Sequence, residues 1–150
     1  MTLQDGPYTT YYSNGQIHVE GTMKDGKRNG NHTTYYPNGQ IKGQGTFKDD
    51  KLDGPQTWYY QDGQIKRHGT LKDGNFWGPV TDYYPNGQIK TQQNYKNNKL
   101  YGVFNKFYEN GKIQGEGNYI DDKEDGLFSF YHENGELEIQ NTYKEGKLIN

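Results

Sequence analysis

Apolar and polar residues follow a pattern that returns every 24 residues, marked by Gly6, Gly30, Gly54, Gly78, Gly102 and Gly126 without insertion or deletion. With each of these glycines as position 0, an aromatic pair occupies positions 5 and 6, from Tyr11-Tyr12 through Tyr35-Tyr36, Tyr59-Tyr60, Tyr83-Tyr84 and Phe107-Tyr108 to Tyr131-His132. Asn-Gly, or Asp62-Gly63 in the third copy, follows at positions 8 and 9, and Ile or Leu137 stands at position 11. Position 15 is Gly21, Gly45, Gly69, Gln93, Gly117 and Asn141, and position 17 is Met23, Phe47, Leu71, Tyr95, Tyr119 and Tyr143. Such spacing predicts a strand over positions 1–6, a turn, a second strand over positions 10–18 and a polar turn such as Lys24-Asp25-Gly26-Lys27.

The turn type decides which side chains share a face. Proline at Pro37 and Pro85 cannot supply the ladder N–H expected beside a two-residue turn, so Pro-Asn-Gly predicts a three-residue loop ending in a glycine bulge. That loop sets position 5 opposite position 11 and, by alternation, is expected to put the first tyrosine on one face with positions 15 and 17. Positions 12, 14, 16 and 18 then form a lysine-rich face with the second tyrosine, lysine stems lying over tyrosine rings. Glycine at position 15 leaves backbone bare for a neighbouring ring.

The expected fold is therefore all-β: tandem β-hairpin repeats, about twelve antiparallel strands, in one elongated, twisted single-layer meander sheet. One repeat domain is expected over residues 1–150, with repeats at 6–29, 30–53, 54–77, 78–101, 102–125 and 126–149. Its two open edges invite pairing with a partner strand or, edge to edge, with a second copy of the chain.

Composition sharpens this picture. There is no alanine, and 21 glycines and 15 tyrosines disfavour helix. Leu, Ile, Val and Phe together number only 24 of 150 residues, so tyrosine must supply the core, which suits a thin sheet with wet hydroxyls. The formal charge of -2 singles out no partner, and the absence of cysteine excludes disulfides and thiolate metal sites. The given chain shows no basic stretch leading into an apolar run and no membrane-spanning apolar window, which predicts a soluble protein; a processed secreted form stays open.

Chemistry is sparse. The histidines His18, His32, His68 and His132 sit at four different repeat positions, and the pair His18 and Glu20 lacks further ligands, so no metal site is expected. Asp25, Asp49, Asp50, Asp73, Asp121 and Asp122 fall in the second turn, where a carboxylate caps backbone. Ser13 and Ser129 have no histidine partner in the sequence. No catalytic residue and no cofactor are expected.

The segments Tyr35–Lys42 and Tyr83–Lys90, both Tyr-Tyr-Pro-Asn-Gly-Gln-Ile-Lys, with continuations of the Gly-x-Phe-Lys-Asp type, resemble the bacterial variant of the MORN repeat over residues 6–149. The whole is similar to the YwqK-type antitoxin family. That resemblance implies a non-catalytic immunity protein that binds a cognate toxin, in the cytoplasm. MORN repeats in membrane-associated and scaffolding proteins imply the alternatives, a lipid-surface adaptor or an adhesive repeat; this chain departs from their pattern in its Asn-Gly turns.

Recognition is expected where the copies disagree. Positions 2, 4 and 23 vary most, and Trp58, Phe76, Trp77 and Tyr101 are candidate aromatic anchors, joined by Phe104, Phe128 and Phe130. Residues 1–101 carry 12 Lys and Arg against 9 Asp and Glu, whereas residues 102–150 carry 5 against 10. Glu133, Glu136 and Glu138 in the acidic last repeats are candidates to face a basic partner protein. No nucleic-acid partner is expected without a net basic surface. The lysine positions offer anionic lipid headgroups a second, weaker surface.

Overall fold

A computed structural model describes residues 4–150. Every element among them is a β-strand, and the chain divides into two compact units, residues 1–75 and 76–150.

The first unit holds β1 (Gly6–Tyr11), β2 (Ile17–Lys24), β3 (Lys27–Arg28), β4 (Gly30–Tyr35), β5 (Ile41–Lys48), β6 (Lys51–Leu52), β7 (Gly54–Tyr59) and β8 (Ile65–Lys72). It is an antiparallel meander in which β2 pairs with β1 on one side and with β3 and β4 on the other, and β5 likewise joins β4 to β6 and β7. The second unit repeats the plan. After β9 (Asn75–Tyr83) come β10 (Ile89–Lys96), β11 (Lys99–Leu100), β12 (Gly102–Phe107), β13 (Ile113–Ile120), β14 (Lys123–Glu124), β15 (Gly126–Tyr131), β16 (Leu137–Lys144) and β17 (Lys147–Leu148).

Two turn types alternate, each dictated by its residues. In the first, the Tyr12 N–H donates to the Gln16 carbonyl (2.8 Å), the Gly15 N–H donates to the Tyr12 carbonyl (3.0 Å), and Gly15 has φ +85°. This is the three-residue loop that Pro-Asn-Gly predicts, with glycine at the left-handed position. The second turn has two residues, with Asp25 at φ 50° and Gly26 at φ 72° between the paired Lys24 and Lys27. Both angles are positive, so the turn is type I′, a conformation that Asp and Asn tolerate better than other side chains.

The strand count exceeds the twelve expected because the strand following each second turn is interrupted. Position 23 donates its N–H back to position 16, as Asn29 does to the Thr22 carbonyl (2.9 Å), and the next glycine takes a positive φ, 85° at Gly30 and 106° at Gly54. The interruption splits off a two-residue strand, giving 17 strands among the described residues; only β9 runs through it unbroken.

One expectation about faces is corrected. Position 5 does pair with position 11 (Tyr11 with Ile17), but position 4 pairs with position 13 (Thr10 with Val19), leaving position 12 as an extra, bulged residue. An extra residue reverses the alternation. The first tyrosine therefore lies with positions 1, 3, 14 and 16, not with the glycine at 15 and the apolar residue at 17. Its hydroxyl shows the result: Tyr35 donates to Glu20, a position-14 residue, at 2.6 Å, and Tyr131 donates to Glu116 at 2.7 Å.

The packing face is made instead by positions 0, 2, 4, 13, 15, 17 and 22. Met23, Leu71, Val80 and Phe128 are buried there. As expected, position 15 is where a side chain crosses bare backbone: Tyr8 covers Gly21, Gln56 covers Gly45, and Phe128 covers Gly117.

Candidate functional site

The repeated polar side chains bind neighbouring repeats. Four of the second tyrosines donate to the carbonyl of the first aromatic residue one repeat on: Tyr12 to Tyr35 (2.6 Å), Tyr36 to Tyr59 (2.7 Å), Tyr84 to Phe107 (2.8 Å) and Tyr108 to Tyr131 (2.7 Å). Asn14, Asn38, Asn86 and Asn110 accept the backbone N–H two residues on and donate across to the next loop, as Asn14 does to the Pro37 carbonyl at 3.0 Å. In the second turns, the carboxylate of Asp50 accepts from the Arg28 N–H of the preceding repeat at 2.9 Å, and Asp122 does so from Leu100 at 2.7 Å. The lysines at position 12 lie over the second tyrosine, with Lys42, Lys66 and Lys90 each 5.7 Å from the ring centroid of Tyr36, Tyr60 and Tyr84.

These ladders place the copy-specific residues. In the second unit, position-2 and position-17 rings stack edge to face as Phe104, Tyr119, Phe128 and Tyr143, with centroids 5.6, 5.4 and 5.4 Å apart. Phe128 is only 3% exposed, and Phe130 crosses Gly115 beside it. Burial raises the Tyr119 hydroxyl above the ordinary phenol value, with Glu124 and Tyr143 adding to the effect. Phe104, Phe128 and Phe130 thus build the packing face.

Phe76 joins that face against Tyr95, at 5.4 Å between centroids, whereas Trp77 and Tyr101, at position 23, lie on the opposite one. Each of the two is 44% exposed, and Lys96 covers Tyr101 at 5.2 Å. Trp58 belongs to the first unit, where its ring edge lies against Gly43. Glu133, Glu136 and Glu138 are all exposed, and the Asn134 amide donates to Glu136 at 3.0 Å.

The sequence reading did not single out the surroundings of Trp58. A cavity of about 210 Å³ opens on the packing face of the first unit, lined by Arg28, His32, Thr34, Phe47, Leu52, Gln56 and Trp58 over Gly43 and Gly45. The His32 ring meets Phe47 edge-on at 4.7 Å, and the Arg28 guanidinium lies over the Phe47 ring, 4.2 Å from its centroid. Burial, and then the charge of Arg28, hold the His32 imidazole below its ordinary value, which favours its neutral form. Asp50 pairs with Arg28 at 3.0 Å, and the bonds from Arg28 keep its carboxyl below the usual range. The signal for this site was position 2, where Tyr8, His32, Gln56, Val80, Phe104 and Phe128 differ in size and polarity.

The variant MORN repeat model matches residues 4–25, 28–49, 52–73, 78–97, 100–121 and 124–145. The chain belongs to the MORN repeat variant family. No curated protein matches it. MORN repeats are non-enzymatic scaffold modules that engage proteins or membrane lipids. Among the described residues, no three His, Asp or Glu side chains gather as a metal cluster, and no helix is long and apolar enough to cross a membrane.

Proposed function

We propose that this MORN-repeat chain is a protein-binding scaffold, most specifically an immunity or antitoxin protein of the YwqK type that binds and neutralises a cognate toxin in the cytoplasm. The supporting observation is the division of labour among side chains. Tyrosine hydroxyls, asparagine amides and turn carboxylates bond from repeat to repeat, which leaves recognition to the residues that differ between copies. Trp77 and Tyr101 present two large, partly exposed rings with polar tips, the residue types that anchor protein interfaces. The exposed Glu133, Glu136 and Glu138 suit a basic partner.

Co-expression with the product of an adjacent gene tests the reading. Association and rescue of growth from that product's toxicity are the expected result, with rescue weakened by Trp77→Ala together with Tyr101→Ala. A chain that neither binds nor neutralises any neighbouring product is not an immunity protein.

The exposed lysines Lys42, Lys66 and Lys90, whose ammonium groups each sit 5.7 Å from the ring centroid of Tyr36, Tyr60 and Tyr84, favour a second reading, adhesion to anionic lipid, because they repeat a positive charge at one position of successive copies. Flotation with vesicles containing phosphatidylserine separates the two: salt-sensitive binding supports the lipid reading, and its absence removes it.

A further inference from the structure

The rung of the first unit built on Phe47 lacks a ring that the corresponding rung of the second unit possesses. In the second unit Phe104, Tyr119, Phe128 and Tyr143 form an unbroken edge-to-face row. In the first, His32 takes the place of Phe104 and meets Phe47 edge-on, but the next member of the row is Gln56. Its amide lies over Gly45 as the Phe128 ring lies over Gly117, and its Nε2 donates to the Thr46 carbonyl at 3.2 Å. An amide is smaller than a phenyl ring, and the cavity beside Phe47 and Trp58 opens next to it.

We propose that this cavity is a docking slot for a tyrosine side chain presented by a partner protein. The proposal rests on the protein-binding reading above and names the chemistry of one contact. Size is the first argument: about 210 Å³ is below the roughly 300–1,000 Å³ of typical small-molecule sites, and suits a single side chain. Shape is the second. The walls are the Phe47 ring and the Trp58 indole, and the second unit shows that this rung accepts a ring edge-to-face against its position-17 aromatic.

Polarity selects the hydroxyl. Arg28 is paired with Asp50, bonding both its carboxylate and its carbonyl, so the slot offers no uncompensated charge to a carboxylate or phosphate. His32 lines the slot, and its Nδ1 has no hydrogen-bond partner, an arrangement that costs stability. A phenol both donates and accepts, so it satisfies either tautomer of a neutral histidine. Phenylalanine fills the same space and satisfies neither.

N-acetyltyrosinamide titrated into the full chain, followed by nuclear magnetic resonance, tests the slot without knowledge of the partner. Saturable shifts at the Gly43 and Gly45 amides and the Trp58 indole are expected, with affinity about tenfold above that of N-acetylphenylalaninamide, the usual worth of one buried hydrogen bond. Gln56→Phe restores the missing ring and should abolish the shifts. His32→Phe keeps a ring where Phe104 has one and should erase the preference for the phenol, which decides the matter even if Gln56→Phe does not fold. Absence of saturable shifts at these residues, equal affinity for both probes, or unchanged binding to folded Gln56→Phe overturns the proposal. Failure of the probe leaves toxin capture standing, and failure of toxin capture leaves the probe result standing, so the two readings are separable.

Discussion

The Phe128 ring lies across the backbone of Gly117 so closely that a methyl group on that glycine would fall inside it. The glycine is extended, so its role is space and not left-handed backbone. Phe128 is wedged between Tyr119 and Tyr143 and has no free direction in which to move. Gly117→Ala should therefore destabilise the second unit by about 1–3 kcal/mol, the usual cost of overpacking. Urea denaturation monitored by tyrosine fluorescence measures it. A neutral outcome would mean that the ring row can slide.

The tyrosine ladder makes a second prediction. Tyr108 donates to the Tyr131 carbonyl from a part-buried position, so Tyr108→Phe removes one inter-repeat hydrogen bond while keeping the ring. The expected loss is about 0.5–1.5 kcal/mol. Tyr11, with 64% of its surface exposed, is the control: Tyr11→Phe should stay within about 0.5 kcal/mol. Equal losses at both sites would remove the ladder as a source of stability.

The hairpin repeat and both turns were legible because their signals are local. Proline before Asn-Gly excludes one loop and admits another, and the observed bonds at Tyr12 and Gln16 follow from that choice. The bulge at position 12 was not legible, since His18, Lys42, Lys66 and Lys90 read as ordinary members of an alternating strand. One extra residue was enough to send Tyr35 to the face of Glu20. Position 2 announced its variability, yet the cavity depends on which ring a given rung lacks, and that is visible only when Gln56 and Phe128 are seen over equivalent glycines. Phe76 and Trp77 are adjacent in sequence and both read as candidate aromatic anchors, but consecutive strand residues face opposite ways.

A third prediction concerns the second turn. Asp122 has φ 67°, and its carboxylate accepts from the Leu100 N–H of the preceding repeat. Asp122→Ala loses the bond and puts into the left-handed region a residue without the short polar side chain that eases it, each effect worth about 1 kcal/mol. Asp122→Asn keeps the acceptor and the tolerance for positive φ, and should cost less than half as much. Paired denaturation curves decide, and an alanine variant as stable as the asparagine one would contradict this account.

A fourth prediction is a pH dependence on the alkaline side. The Tyr35 and Tyr131 hydroxyls are raised above the ordinary value of 10.0, first by their bonds to Glu20 and Glu116 and then by burial. A folded-state value above the unfolded one means that folding favours the protonated phenol. The associated stability is present in full below pH 10 and is lost as the pH rises through the higher folded value. Tyrosinate absorbance should accordingly show late-titrating tyrosines in the native chain that merge with the rest on unfolding. Glu20→Ala removes the acceptor and should return Tyr35 toward ordinary titration while leaving Tyr131 late, and Glu116→Ala should do the converse. If neither variant changes the late population, these phenols are held protonated by burial and not by the carboxylates of the neighbouring repeat.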